Sequence, residues 1–291
     1  MNRRINHFLR ESVGLGLLLI KLLIPGRKFQ LLSIYFHNPS PKLFEFIIKQ
    51  LYANSYRIIA LEEFKNLIQE KRLNEKIAII TIDDGWKNNL ELLEIIRKYK
   101  AFITVFITTS AIEQGNFWFE YVKKGKYQTK ASFRRKKIHL KKLDEISFYK
   151  ELSSLKLGVT LERSALTREE VVQMSSEPFV TIGSHSVSHI SLPNISIEGQ
   201  KKELSDSKKI LEIWTERKVN YFAYPSGDYS DNLKSIAKEC GYELCFTIDT
   251  PYIDIEKVDK LSIPRMCVND DAGNYEALSK MYGIWYKVIS H

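Results

Sequence analysis

The feature that most constrains this chain is an alternation of short, almost fully apolar runs with longer stretches of helical periodicity. "FQLLSIYFH" (29–37), "YRIIAL", "KIAIITID", "AFITVFIT", "FVTIGSH", "VNYFAYP" and "LCFTID" carry the β-branched and aromatic content of buried strands. Between them, "KLFEFIIKQLYANS", "EEFKNLIQEKR", "NLELLEIIRKYK", "TREEVVQMSS", "IEGQKKELSDSKKILEIWTE" and "SDNLKSIAKECG" read as amphipathic helices. In the second of these groups Leu90, Leu93, Ile95 and Ile96 share one side, and Thr167 with Glu170 forms a capping box. Strands that are apolar on both faces need cover on both faces, which implies βαβ units and a parallel sheet, barrel-like or doubly wound. In both architectures the chemistry collects at the C-terminal tips of the strands. Only from 116 to about 163 does the alternation lapse, into a basic, aromatic insertion without clear pattern.

The 291 residues are 44% hydrophobic, enough for a large core, and show no internal repeat or Gly/Ser linker. One domain over 29–291 is expected, preceded by an apolar and basic segment at 1–28. The formal charge is +9, with basic clusters near the N-terminus and in "RRKKIHLKK" (134–142). No nucleic-acid motif accompanies them, so a nucleic-acid partner is not expected. Cys240, Cys245 and Cys267 form no C-x-x-C pair; as reduced packing residues they suit a cytoplasmic setting. The stretch "VGLGLLLIKLLIPG" (13–26) is interrupted by Lys21 and falls short of the ~20 residues of a membrane span. Ile5, Phe8, Leu9, Val13, Leu17 and Ile20 recur at helical spacing with arginines opposite, which fits a helix lying on the cytoplasmic face of a membrane. A helix packed on the main domain and an export signal anchor are the other readings of the same pattern.

The strand tips carry His37, Asp83-Asp84, Ser184-His185, His189 and Pro225-Ser226-Gly227. Paired carboxylates beside an apolar run are costly to desolvate unless something pairs with them. His185 and His189 lie four apart, a spacing at which two imidazoles converge on one cation, and one aspartate completes a two-histidine, one-carboxylate set. The neighbouring aspartate is then available as a base, while Gly85 lets the backbone turn beneath both.

These residues resemble the polysaccharide deacetylase family, the NodB-homology or carbohydrate esterase family 4 enzymes. "TIDDG" (81–85) is similar to its first motif, "HSVSH" (185–189) to its second and "FAYPSG" (222–227) to its third. The resemblance spans roughly 30–268, and "ALTREEVVQMSSEPFVTIGSHSVSHISL" with the late "LSIPRMCV" looks like the branch of poly-N-acetylglucosamine deacetylases. It implies an α/β fold of the distorted (β/α) barrel type and a metal-dependent hydrolase that removes N-acetyl groups from sugars. By the same resemblance Asp83 is the catalytic base, and Asp84, His185 and His189 hold the metal, usually Zn2+, with Co2+ or Ni2+ as substitutes. The backbone N–H of Ser226 helps to bind the oxyanion, and Pro225 and Gly227 line the cleft.

Two departures stand out. Typical members place an arginine where this chain has Ala223, and Arg265 in "IPR" is the expected substitute. The usual late Leu-x-His motif is absent, and His37, which occupies the place of an acid in the poly-N-acetylglucosamine branch, is expected to protonate the leaving amine. Trp86 and Tyr224, together with Tyr229, are expected at the cleft wall, where pyranose faces stack on rings, and Phe117, Trp118 and Phe119 above it. An O-acyl esterase and a non-catalytic saccharide-binding protein are the alternatives.

Overall fold

A computed structural model describes residues 3–23, 30–124, 129–249 and 253–285. The sheet is built from β1 (Leu31–Phe36), β2 (Tyr56–Ile58), β3 (Lys76–Ile82), β4 (Ile103–Ile107), β5 (Val180–Ser184), β6 (Tyr221–Ala223), β7 (Leu244–Phe246) and β8 (Met266–Cys267). Every pairing is parallel, in the order β7-β6-β5-β4-β3-β1-β8. Strand β3 forks: its start pairs with β2 and its end, from Ile80, with β4. A single parallel bridge between Phe246 and Ile263 then joins β7 to the segment that runs into β8. The sheet thus curls round on itself, a distorted barrel with one thin seam.

Period-two alternation decides what points inward. Leu31, Ile77, Ile79, Phe106, Tyr221, Ala223, Leu244, Phe246 and Ile263 pack together inside the curl. Leu32, Ile34, Ala78, Ile80, Ile82, Val105 and Phe222 face outward into the larger cluster beneath the helices. Continuing the inward set of β3 by twos leads from Ile77 and Ile79 to Thr81 and then Asp83, so the register itself aims Asp83 into the barrel mouth. Gly183 lies where a Cβ would come within 2.5 Å of the Phe106 ring, a close approach of backbone to side chain that only glycine permits.

Most expected helices form, including the Thr167–Glu170 capping box. "NLELLEIIRKYK" enters as a 3-10 turn, Lys87–Leu92, before the helix Leu93–Tyr99. The insertion differs from expectation, because its described part folds as three helices, Trp118–Lys124, Lys130–Lys141 and Glu145–Lys156. Thr129 and Asp144 cap the last two by accepting hydrogen bonds from the N–H groups of Ser132 and Ser147. Periodicity could not reveal Lys130–Lys141, which buries only Leu140. Phe117, Trp118, Val122, Phe148 and Leu152 anchor the insertion in the main core.

Helix Arg3–Leu23 packs on helix Asn274–Met281. Glu11 accepts from the N–H groups of Tyr275 and Glu276, Arg10 pairs with Asp271 and Glu276, and Gly14 allows the backbones to touch. One face of the helix thus packs on the main domain while Phe8, Leu9, Val13, Leu15, Leu19 and Ile20 stay exposed; the end of the apolar stretch, 24–26, lies outside the described residues. Among the described residues no helix is long and apolar enough to cross a membrane.

Candidate active site

The tips of β1, β3 and β5 and the turn after β6 surround a cavity of about 370 Å³. At its floor, Asp83 receives the Arg265 guanidinium end-on, Nη1 to Oδ1 at 2.7 Å and Nη2 to Oδ2 at 2.8 Å. Arg265 is fully buried. It also donates to the Thr81 hydroxyl and the Thr247 carbonyl and lies over the Tyr35, Phe106 and Phe246 rings. The expected substitution for the missing third-motif arginine therefore brings a guanidinium to Asp83, delivered from the opposite side of the seam to Ala223. Ala223 belongs to the same inner cluster and leaves the space open. Burial alone would raise the Asp83 carboxyl; the Arg265 charge, followed by those of His185 and His37, outweighs it and holds the group below the ordinary aspartate range.

Asp84 takes a left-handed backbone, φ 80°, and Gly85 continues it at φ 92°, so the turn reverses at once. Leu166 N–H on the Gly85 carbonyl and Lys87 N–H on the Ser164 carbonyl fix that turn against the end of the insertion. Asp84 Oδ1 then sits 3.6 Å from His185 Nε2 and 3.4 Å from His189 Nε2. Asp84 Oδ2 accepts from the Trp86 indole N–H at 2.9 Å. The His185 Nδ1–H donates to the Ala223 carbonyl at 2.7 Å, which turns the Nε2 lone pair toward Asp84. Between the histidines, left-handed Ser186 and His189 fold the loop back. Glu203 holds it by accepting from the N–H groups of Val187 and Ser188 and from the Ser188 hydroxyl.

The donor set fits a divalent cation. The three ligand atoms lie within 4.8 Å of one another, and Asp84 Oδ1 is buried with no hydrogen-bond partner among the described residues. Burial, reinforced by the charges of His185, Lys137 and Lys141, holds His189 well below the usual imidazole range, which keeps it in the neutral form that ligates metal.

The remaining expected residues divide. His37 lines the cavity, its main-chain N–H donating to Asp270 at 3.1 Å and its carbonyl accepting from the Asn89 amide. Trp86, Phe119, Ser226 and Gly227 also line it, and Ser226 is held in the left-handed region at φ 61°. Tyr224 differs from expectation: its ring touches the wall but is fully buried and its hydroxyl donates to the Leu261 carbonyl, so no face is left for a sugar. Pro225 is buried under the turn, outside the cavity lining. Phe117 and Trp118 are core, and Tyr229 lines a neighbouring cavity of about 530 Å³.

Sequence reasoning missed Asp270, Lys137 and Lys141, all of which line the cavity. Burial raises the Asp270 carboxyl, partly offset by His37, and burial lowers both lysines. Asp270 was findable as one more acid just after a strand tip. The lysines carried no such signal, because a solvated basic helix looks the same.

The polysaccharide deacetylase family pattern matches residues 70–245. Peptidoglycan-N-acetylglucosamine deacetylase of Bacillus cereus is 29% identical over 172 residues, 58% of this chain and 55% of that protein. The YxkH protein of Bacillus subtilis (strain 168) is 23% identical over 210 residues, 72% of this chain and 58% of that protein. The chain thus spans little more than half the length of the curated relatives it matches. Among solved structures, the Streptococcus pyogenes deacetylase PplD in complex with acetate superposes with a TM-score of 0.61 at 20% identity, covering 88% of this chain and 98% of that one. IcaB from Ammonifex degensii superposes with a TM-score of 0.59 at 15% identity, with the same coverage. At such identities the likeness is one of fold. The matched segment carries the Asp-Asp-Gly turn, both histidines and the Pro-Ser-Gly turn, and with it this chain belongs to the polysaccharide deacetylase family.

Proposed function

We propose that this protein is a metal-dependent N-deacetylase, hydrolysing the acetamide of an N-acetylated sugar in a glycan to acetate and a free amine. The observation that carries the reading is the division of labour between adjacent carboxylates, with Asp84 facing two imidazoles and Asp83 bonded end-on by a guanidinium. Asp84, His185 and His189 would hold the cation, zinc being the natural choice for that ligand set, with Co2+ or Ni2+ as substitutes. When bound, such an ion polarises a carbonyl and lowers the pKa of water.

The chain's own residues supply the rest. Asp83, kept ionised by Arg265, accepts the proton of the attacking water through lone pairs that the guanidinium leaves free. The Ser226 N–H donates to the tetrahedral oxyanion, a contribution of about 3–4 kcal/mol for such a donor. His37 gives a proton to the leaving nitrogen. That last role favours an amide over an ester, because an amine must be protonated before it departs. Trp86 steadies Asp84 and presents its ring at the cavity wall.

Acetate release from chitooligosaccharide, poly-N-acetylglucosamine and acetylated xylan, measured with zinc present, tests the reading. Acetate from the first two is expected. Acetate from xylan alone overturns it in favour of an O-acyl esterase, and saccharide binding without acetate in favour of a binding module.

We also propose that helix Arg3–Leu23 rests on an anionic membrane surface. Phe8, Leu9, Val13, Leu15, Leu19 and Ile20 are exposed along it, and the chain is basic. Flotation with anionic vesicles is expected for the full chain and lost in Leu19→Glu; equal flotation of both removes the idea.

A further inference from the structure

The helix Lys130–Lys141 does more than cover the cleft. Residues four apart share a helix face, and Lys137 and Lys141 both line the cavity that holds the Asp84–His185–His189 group. Their neighbours turn elsewhere: Lys136 and His139 both pair with Glu151. Lys137 Nζ is 5.0 Å from the centre of the Phe119 ring and 5.8 Å from that of Phe133. Phe119 in turn meets His189 edge-on, 5.8 Å between ring centres. A cation is therefore held one aromatic ring away from the proposed reacting centre. Lys141 stands further out, where the main cavity meets the second one, and Lys142 lines that second cavity beside it.

Both ammonium groups are partly buried, and among the described residues neither has an ion-pair partner. The acids that face them are otherwise engaged. Asp83 is neutralised by Arg265, Asp84 faces the histidines and the Trp86 indole, Asp270 accepts from the N–H groups of His37 and Asn38, and Asp228 accepts from the Ser191 hydroxyl. Partly desolvated cations outside any ion pair, with the charges of Asp84 and Asp228 acting on them only from beyond ion-pair distance, stand on the wall of a sugar-sized cavity and are complementary to an anion brought by the ligand.

We infer that Lys137 and Lys141 form an oxyanion subsite, and that the substrate is a glycan carrying a phosphate or carboxylate next to its N-acetylated sugar. This rests on the deacetylase reading and narrows its substrate class. The ring of Phe119 serves as the apolar floor between the two positions.

Calorimetric binding to the metal-free protein tests the subsite without turnover, using N,N′-diacetylchitobiose, its 1-phosphate, and a disaccharide of N-acetylglucosamine and glucuronate. The two anionic sugars are expected to bind about tenfold more tightly than the neutral one at low salt, with the gap closing as salt is added. Lys137→Gln with Lys141→Gln is expected to abolish the gap, and Lys137→Arg with Lys141→Arg to keep it; thermal unfolding of each variant verifies its fold. Preference for the 1-phosphate over the uronate identifies phosphate as the anion, and the reverse identifies carboxylate. Equal binding of all three sugars, or a gap that survives the glutamine pair, overturns the subsite. Acetate release from the same sugars in the zinc-loaded protein is read separately. A gap without acetate leaves the subsite standing and removes the deacetylase, whereas acetate without a gap does the opposite.

Discussion

The floor and the roof of the cleft reach comparable positions around one cavity by opposite physical means. The floor is made of strand tips, so Asp83, Asp84 and His185 are placed by the hydrogen-bonded register of β3, β4 and β5. The Asp83 charge is answered within the protein by Arg265, whereas Asp84, steadied on one oxygen by the indole of Trp86, keeps the other for a cation between the imidazoles. The roof is a helix held to the body mainly by its flanks, with Leu140 its one buried residue and with Lys137 and Lys141 outside any ion pair among the described residues. On the proposed function, chemistry that must be the same at every turnover would rest on the rigid sheet, and recognition of the variable end of a substrate on an insertion.

Four perturbations probe this contrast. The largest effect is expected from Asp83→Asn, which should lower acetate release by about 10²–10⁴-fold while zinc binding, measured by calorimetry, stays intact. Equal loss of zinc would mean that the two aspartates have exchanged roles. Arg265→Met should come next, because it strands a buried carboxylate. Urea unfolding at pH 7 is expected to show a loss of about 3–5 kcal/mol.

The sign of the pH dependence follows. In the wild type the Arg265 charge outweighs burial and holds the Asp83 carboxyl below the ordinary aspartate range, so its contribution to stability is present above that range and is lost as pH falls through the lowered folded-state value. Without the guanidinium, burial dominates and the carboxyl rises, so the variant should recover part of its deficit as pH drops. The acid limb of kcat/KM should move to higher pH for the same reason; an unmoved limb would separate Arg265 from the base.

Trp86→Phe removes the indole donor to Asp84, and cation affinity should fall about 10–100-fold with little change in global unfolding. Thr129→Ala, which uncaps the roof helix, should have the smallest effect. About 1 kcal/mol of local stability is expected to go, seen as faster amide exchange over 130–141, with zinc affinity unchanged. If zinc affinity fell with it, floor and roof would not be independent.

Much of the floor was legible because strand tips leave a local signature. The apolar run ending in Thr81-Ile82-Asp83-Asp84-Gly85 announces a buried strand, a pair of costly carboxylates and a turn in consecutive letters. The paired histidines are similarly compact, although what brings them together is a loop with two left-handed residues and not a helix face. Tyr224 shows where such reading fails. An aromatic residue in a motif looks the same whether its ring faces a sugar or the core, and here packing against Tyr229 and the bond to Leu261 decided it.

By itself the sequence determined the alternation of strands and helices, a parallel sheet that was either barrel-like or doubly wound, and the five charged or imidazole side chains at the strand ends, because these depend on period and on residue type over a few positions. The family resemblance pointed to Arg265 as the partner of Asp83, 182 residues away, but the tertiary structure alone decided the end-on geometry of that pair, that Asp270 receives the backbone of His37, and that two lysines of a basic run face inward while their neighbours face Glu151. Those pairings join the residues on either side of the late strand β8 to the tips of β1 and β3, or an insertion to the core. Their energy lies in the fit of surfaces brought together by folding, which no local pattern encodes.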